Sequence, residues 1–140
     1  METYIDGEPA PVQLELSDYR GGWTLIAFFP PGMAAHPELA EFDRLRHAFA
    51  AENCLLLAVS IDSWWQLRET PAAFPLVADT HGLLAASFGA LADGEPRFGT
   101  VLLDPDGVVV HEDLGRAPDA RATLRALRAL RGRPLLRLVA

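Results

Sequence analysis

Apolar residues fall into continuous runs and into helical spacing along this chain of 140 residues, and the two patterns predict different elements. Residues 23–29 and 54–60 are almost wholly apolar, as in strands buried on both faces of a sheet. Between them, apolar positions at helical spacing predict a helix that begins at Pro37 and ends near Asn53. A strand, a helix and a second strand in this order predict a parallel pair.

Shorter elements are predicted around this unit. Residues 12–16 alternate between apolar and polar positions, which is typical of a half-buried strand. A short helix is expected from residues 62–63, with one of Trp64 and Trp65 in the core and the other exposed. The elements predicted next are an extended piece at 74–78, a helix from Asp79 or Thr80 to residue 88, and a loop at 92–96.

The last third of the chain predicts an antiparallel hairpin and a final helix. Residues 100–103 and 108–111 flank Asp-Pro-Asp-Gly, which favours a tight turn, and a helix is expected over about 118–130. The expected fold class is therefore α/β, with a central mixed sheet flanked by helices in one domain over 1–140. Residues 1–8 are expected to be flexible, and residues 131–140 to form an extension that packs as an extra strand or against a partner.

Composition and charge narrow the classes of function. The formal net charge of −7 argues against nucleic acid as the main partner, because phosphate binding needs a basic face. Seven arginines lie between Arg116 and Arg137, either on a solvated helix face or on a surface for an anion or a partner. The N-terminus lacks the apolar stretch of a signal peptide, and no apolar run could cross a bilayer. We expect a cytoplasmic protein with no cofactor, no nucleic acid and no membrane among its partners.

Five short segments, all in register, carry a family resemblance. They are Asp-Tyr-Arg-Gly-Gly-Trp at 18–23, Phe-Phe-Pro at 28–30, Leu-Ala-Val-Ser-Ile-Asp-Ser at 57–63, Phe-Pro-Leu-Val-Ala-Asp at 74–79 with Ala-Ser-Phe-Gly at 86–89, and Gly-Thr-Val-Leu-Leu-Asp-Pro-Asp-Gly at 99–107. Over roughly residues 12–130 the chain resembles the peroxiredoxins, the alkyl hydroperoxide reductase and thiol-specific antioxidant family. The resemblance implies a thioredoxin-like fold of peroxiredoxin type. It also implies hydroperoxide reduction by a cysteine thiolate in a Pro-x-x-x-Thr-x-x-Cys loop, with a threonine and an arginine aligning the peroxide.

The loop of this chain does not match that motif. It can be aligned by counting from Pro30, by counting from Pro31, or by matching His36-Pro37 to the family's Cys-Pro pair. The three alignments place Pro37, Glu38 or His36 at the cysteine position. They place Ala34, Ala35 or Met33 at the threonine position. We therefore expect a pseudoenzyme that lacks the peroxidatic cysteine and is redox-inactive.

A pocket is expected where the family binds peroxide. Its candidate residues are Pro30, Pro31, Met33, Arg97, Phe98 and Thr100. The family's arginine directly precedes Gly-Thr, but here Phe98 holds that position and Arg97 lies one residue earlier. Because a slip of one residue in a strand reverses the face to which a side chain points, Arg97 can point away from the pocket.

His36 and Cys54 are the other residues with candidate chemistry. His36 lies at the predicted helix N-terminus, either as an N-cap or loop residue without chemistry or as a neutral imidazole that acts as acid, base or hydrogen-bond donor. Cys54 is the first residue of a buried strand, a position typical of a small core residue. Because it is the single cysteine, the chain cannot form an internal disulfide. His47, His81 and His111 are scattered without the spacing of metal ligands, so no metal is expected.

Three functions stay open at this point. The first is a redox-inactive binding or accessory module for an unknown small molecule or protein partner. The second is a cofactor-independent enzyme that reuses the former peroxide pocket, with His36 as acid or base on a small organic substrate. The third is residual thiol-dependent antioxidant activity through Cys54. A homodimer is also expected, because an exposed tryptophan often marks an interface and the resemblance implies a dimer contact near Trp64 and Trp65.

Overall fold

The fold is built on a seven-stranded mixed sheet. The computed structural model describes residues 2–4, 12–13 and 21–139. The strands are β1 (Glu2–Tyr4), β2 (Val12–Gln13), β3 (Trp23–Phe28), β4 (Cys54–Ser60), β5 (Leu76–Ala78), β6 (Leu91–Ala92), β7 (Glu95–Pro96), β8 (Gly99–Leu103) and β9 (Val109–Leu114). The helices are α1 (Pro37–Arg44), α2 (Arg46–Ala51), α3 (Trp64–Leu67), α4 (Leu83–Ser87) and α5 (Ala120–Val139). The main sheet has the order β2-β1-β5-β4-β3-β8-β9, and β6 pairs with β7 in a separate hairpin.

The predicted parallel pair lies at the centre of this sheet. β3 and β4 run in parallel, with Trp23 opposite Cys54 and Phe28 opposite Val59. β5 continues the parallel set on one side, and β8 and β9 add antiparallel strands on the other. The α/β class and the mixed sheet expected from the apolar pattern are therefore confirmed.

Two tight turns shape the region around β8. In the predicted hairpin between β8 and β9, Asp104 Oδ1 accepts hydrogen bonds from the backbone N–H groups of Asp106 and Val108. The segment before β8 was expected to be a loop, but it is the β6–β7 hairpin. Asp93 and Gly94 take positive φ angles of 53° and 78° there, the conformation that a two-residue hairpin turn needs. The Asp-Gly pair was the available sequence signal.

Part of the segment expected to be flexible, residues 2–4, forms a strand. These residues form β1, which pairs antiparallel with both β5 and β2. Without β1, the outer side of β5 would present unpaired backbone N–H and C=O groups, so pairing satisfies groups that are costly to leave without a partner. Met1 and residues 5–8 lie outside the described residues.

The helix predicted from Pro37 to Asn53 is two helices. α1 and α2 are separated at Leu45, where φ is −95° and ψ is 5°. The side chain of Arg46 donates a hydrogen bond to the backbone oxygen of Asp43 at this break (2.7 Å), and so gives that carbonyl a partner. Asn53 adopts a left-handed φ of 56° and directly precedes β4, as expected for a residue that ends a helix.

The residues expected to form a C-terminal extension are helical as far as residue 139. Residues 131–139 continue α5 rather than forming a strand. Pro134 lies within α5, where it has no backbone N–H to donate to the helix. Ala140 lies outside the described residues. Among the described residues, no helix is both long and apolar enough to cross a membrane.

Side chains on the two faces of the sheet form two separate cores. The α1 face packs against α1, α2 and α5 and includes Leu25, Phe29 and Leu102. The α4 face packs against α4 and includes Ile26 and Val101. Because successive side chains of a strand point to opposite faces, the position of a residue along β8 decides which core it can reach.

Several of the late arginines form ion pairs across the surface of the α1 face. Arg121 pairs with Glu41 on α1 (3.0 Å), and Arg128 (3.3 Å) and Arg131 both pair with Glu52 just after α2. Hydrogen bonds from Arg44 and then from Arg121 lower the pKa of Glu41. These contacts match the solvated helix face, one of the two alternatives for this arginine group.

α3 confirms the prediction for the two tryptophans. Ser63 caps the helix through a capping box with Gln66. Trp64 packs partly buried against the α1-face core, whereas Trp65 is 60% exposed. The two rings stack with centroids 4.3 Å apart, so one tryptophan supports the other at the surface.

Candidate functional site

The turn between β3 and α1 is where the family resemblance places a nucleophile. After residues 30–31, Gly32 takes a left-handed conformation with φ 84° and ψ 40°, which glycine adopts without steric cost. Met33–Ala35 then form a single 3-10 turn, His36 is the N-cap of α1, and Pro37 is the first residue of that helix. The His36 side chain makes no capping hydrogen bond. No thiol or hydroxyl side chain is present in this turn.

A buried carboxylate holds the turn in place. Asp62, 6% exposed, accepts hydrogen bonds from Gly32 N (2.9 Å to Oδ1 and 3.1 Å to Oδ2) and from Met33 N (2.9 Å to Oδ2). The Ser60 hydroxyl donates to Asp62 Oδ2 (2.8 Å), and the backbone N–H of Asp62 donates to Ser60 Oγ (3.1 Å). Hydrogen bonds to a charged group contribute about 1.5–3 kcal/mol each, which offsets the cost of burying this carboxylate.

Two aromatic rings pack against His36, which is half-buried. Its ring stacks on Phe29 at 5.9 Å between centroids and meets the edge of Phe98 at 5.0 Å. Phe29 and Phe98 also contact each other, at 6.0 Å, and Met33 is completely buried in the same core. His36 Nε2 is buried without a hydrogen-bond partner among the described residues. The half-buried imidazole therefore packs on an apolar surface formed by Phe29 and Phe98, which we call the apolar cage.

Arg97 is not part of this group, which corrects its place among the pocket residues. It lies next to the α4 face, where Nη2 donates a hydrogen bond to the backbone oxygen of Gly89 (2.9 Å) and the guanidinium packs beside Gly115. Phe98, one residue later, packs on the α1 face against His36. The physical reason is the alternation of side chains along an extended chain, so the slip of one residue turns Arg97 away from the turn.

The other candidate pocket residues divide between the surface and the core. Pro30 is half-buried and Pro31 is exposed, both at the surface of the turn. Met33 is in the core beneath it. Thr100 is buried in β8 opposite Ala27 of β3, two residues from Phe98 and so on the same face of the strand.

An open cleft of about 480 Å³ adjoins the start of α1 and is lined by residues that include Pro37, Glu38 and Asp119, and two more clefts lie farther from the turn. One of about 420 Å³ lies at the end of β5 and is lined by residues that include Asp79, His81 and Leu84. Another, of about 280 Å³, lies at the opposite end of the sheet beside His47 and Cys54. His36 is not among the lining residues of these three clefts.

Cys54 lies close to this region along the chain but far from it in the fold. It pairs with Trp23 at the start of β3, whereas the turn follows Phe28 at the other end of that strand. Five residues of extended chain span about 17 Å, which separates the thiol from His36. The Cys54 side chain is 6% exposed, and burial raises the pKa of its thiol from 9.0 to about 12. Such a thiol is protonated at neutral pH and is a poor nucleophile.

Metal-binding groups do not converge in the part of the chain that the structure describes. No cluster of three histidine, cysteine, aspartate or glutamate side chains occurs there. His47, His81 and His111 lie on α2, before α4 and on β9 respectively. They are all exposed and belong to different parts of the surface.

Asp62 is the residue that the sequence did not reveal as part of the site. The Ser-Ile-Asp-Ser segment was noticed only for its family resemblance and as a helix start. A polar residue at each end of Ser60–Asp62, directly after a buried strand, was the available signal, because the ends of parallel strands place such groups at one edge of the sheet. Which backbone amides the carboxylate would meet required the tertiary structure.

These features define a thioredoxin-like α/β protein whose candidate site lies at the turn between the first central strand and the first helix. The family model described as AhpC/TSA family matches residues 7–112, and the chain belongs to that family, the peroxiredoxins.

Sequence relatives agree with this assignment. The chain is 30% identical over 132 residues to a thioredoxin peroxidase of Fasciola hepatica, covering 84% of this chain and 68% of that protein. It is 28% identical over 141 residues to peroxiredoxin TSA1-B of Candida albicans, covering 90% of this chain and 71% of that one. The chain thus spans about two thirds of the length of these relatives.

Solved structures show the same fold. The bacterioferritin comigratory protein of Xanthomonas campestris matches with a TM-score of 0.78 at 28% identity, over 92% of this chain and 90% of that one. The reduced 2-Cys peroxiredoxin of Plasmodium vivax matches with a TM-score of 0.84 at 21% identity, over 95% of this chain and 91% of that one. The predicted thioredoxin-like fold is therefore confirmed.

The buried thiol gives a prediction for labelling. At pH 8, alkylation of Cys54 in the native protein is expected to be roughly a thousandfold slower than in the unfolded chain, because a pKa higher by about three units reduces the thiolate fraction by that factor. Mass spectrometry after iodoacetamide treatment with and without denaturant measures the two rates. Equal rates would contradict the burial of the thiol.

The same shift in the Cys54 pKa makes the free energy of unfolding depend on pH. The unfolded thiol loses its proton near pH 9 while the folded thiol keeps it, so the Cys54 contribution to stability is fully present below pH 9 and is lost as pH rises towards 12. Urea unfolding across this range is expected to show that loss in the wild type and not in Cys54→Ala.

The apolar cage gives a prediction for His36. Replacing it with leucine is expected to leave the free energy of unfolding unchanged or to raise it by about 1 kcal/mol, because a buried polar atom without a partner is removed. His36→Ala is expected to lower that free energy by about 1–2 kcal/mol through lost contacts with Phe29 and Phe98. Urea denaturation measures both changes. A His36→Leu variant that is as unstable as His36→Ala would contradict this prediction. It would mean that the imidazole makes a stabilising polar interaction in addition to its contacts with Phe29 and Phe98.

Proposed function

We propose that this protein is a redox-inactive peroxiredoxin that serves as a binding or accessory module. The observation that carries the proposal is the filled turn before α1, which contains no thiol and is packed by Met33 and by the His36 ring. Reducing a hydroperoxide to an alcohol and water consumes two electrons, which a cysteine thiolate supplies as it becomes a sulfenic acid. An imidazole has no corresponding oxidation step, so His36 does not replace the thiolate.

A residual peroxidase based on Cys54 is the weakest of the three functions. Its thiol is buried, its pKa is raised to about 12, and it lies at the far end of β4 from the turn. The single cysteine also provides no second thiol in the chain to resolve a sulfenic acid. The free thiol is compatible with a reducing compartment, and we propose the cytoplasm.

An enzyme that uses His36 as acid or base is the second candidate. The observation that favours it is the buried Nε2 without a partner among the described residues, since unpaired polar atoms often have a functional role. Against it stands the packing of that ring on two apolar groups, the side chains of Phe29 and Phe98. An acid or base needs a substrate within hydrogen-bond distance, and the apolar cage leaves no open approach to Nε2.

Peroxide consumption tests the redox proposal. With hydrogen peroxide and thioredoxin as electron donor, the protein is expected to show the background rate, equal to that of Cys54→Ser. The matched positive control is the Fasciola hepatica thioredoxin peroxidase, a relative by sequence. Turnover above background that disappears in Cys54→Ser would overturn the proposal and favour the thiol function.

A homodimer is the proposed assembly, formed through the surface of α3. Trp65 is 60% exposed and stacked on Trp64, and the Arg68 guanidinium lies 4.8 Å from the centre of its ring. Exposed Pro31, Ala34 and Ala35 belong to the turn that Asp62 ties to the start of α3. Tryptophan and arginine are the residues most enriched among those that dominate binding at interfaces, so this surface suits a second copy of the chain.

Sedimentation velocity over a range of concentrations tests the dimer. Trp65→Glu is expected to shift the protein to monomer, because burying a carboxylate without a partner is costly. The matched control is Val109→Glu, which places the same charge on another exposed apolar residue, at the sheet edge. A dimer that survives Trp65→Glu and is broken by Val109→Glu would assign the interface to β9 and reject the α3 surface.

A further inference from the structure

The strongest feature that the proposed function leaves unused is the Asp62 carboxylate. It is 6% exposed, and no arginine or histidine forms an ion pair with it within the described ranges. Its negative charge is instead met by hydrogen-bond donors, which are two backbone amides and the Ser60 hydroxyl. A buried carboxylate without a cation needs such donors to remain charged.

The two amides form the kind of concave backbone site that binds anions. Gly32 has a left-handed conformation and Met33 begins a 3-10 turn, so the two consecutive N–H groups point to the same side. Such backbone nests bind phosphate and other oxyanions in many proteins. Here both N–H groups are occupied by a carboxylate from the same chain.

We propose that Asp62 is an internal ligand of this backbone nest, which holds the turn before α1 closed and keeps external oxyanions out. The closed turn keeps Met33 buried and so helps to retain the cage around His36. Because the carboxylate already occupies both amides, an external oxyanion would have to displace it to reach them. Displacing Asp62 is then the event that would open the turn.

This inference concerns the same turn as the proposed function and explains how it stays closed. The test of this inference measures amide signals rather than redox turnover. The inference and the proposed function can therefore fail independently of each other. A redox-inactive protein could have an open turn, and an active one could have a closed turn.

The experiment is amide NMR of the full chain titrated with formate, the smallest carboxylate. In the wild type, the signals of Gly32 and Met33 are expected not to shift with formate. In Asp62→Ala, the same two signals are expected to shift in a saturable manner, because the carboxylate that occupied the nest is gone. Sodium chloride at the same ionic strength is the control titration, and it should cause neither change.

Hydrogen exchange in the same samples gives a second measurement. Exchange of the Gly32 and Met33 amides is expected to accelerate about tenfold or more in Asp62→Ala, because each loses a bond to a charged acceptor. The matched control is Asp104→Ala, which removes a carboxylate from the two amides of Asp106 and Val108 in the β8–β9 turn. It should accelerate exchange there and leave Gly32 and Met33 unchanged.

Three outcomes would overturn the proposal. The first is a saturable formate shift of Gly32 and Met33 in the wild type. The second is a folded Asp62→Ala whose two amides neither bind formate nor exchange faster. If Asp62→Ala does not fold, Asp62→Asn keeps the size of the side chain and one acceptor oxygen, and it is expected to lose part of the protection. Full protection of both amides in Asp62→Asn is the third.

Discussion

The parallel pairing of β3 with β4 is the constraint on which the rest of this structure depends. Parallel strands place their starts at one edge of the sheet and their ends at the other, so the segments that follow them meet. The turn after β3 and Asp62 after β4 therefore meet at one edge, where the carboxylate reaches the Gly32 amide. The same pairing carries Cys54 to the other edge. Strand direction alone separates the single thiol from the turn before α1.

The alternation of side chains along each strand is the second constraint on the site. The sheet is covered on both faces, so each side chain of β8 belongs to one core or the other. A displacement of a single residue is enough to send Arg97 to the α4 face and to bring Phe98 against His36. An aromatic ring, and not a guanidinium, therefore packs against the imidazole beside the turn.

Two polar groups at the turn differ in whether they have hydrogen-bond partners. Asp62 is buried with several hydrogen bonds, whereas His36 Nε2 is buried with no partner among the described residues. The first arrangement stabilises the turn, and the second costs about 1–3 kcal/mol. Aromatic pairs contribute about 0.5–1.5 kcal/mol each, so the contacts of the imidazole with Phe29 and Phe98 can offset that cost. The two contributions are therefore similar in size, so packing can hold this imidazole without a hydrogen bond to Nε2.

The sequence by itself determined the α/β class, the parallel centre, the final hairpin and the family, because these follow from local patterns of apolar residues and from short motifs. It also determined that no cysteine lies in the turn before α1. Only the tertiary structure decided that β1 pairs with β5, that Pro134 lies within α5, and that Asp62 binds the turn. These features depend on partners distant in sequence or on the balance of a whole helix, and local propensity contains neither. The position of the single cysteine could be read from the chain, whereas the contacts that pack the turn depended on the fold.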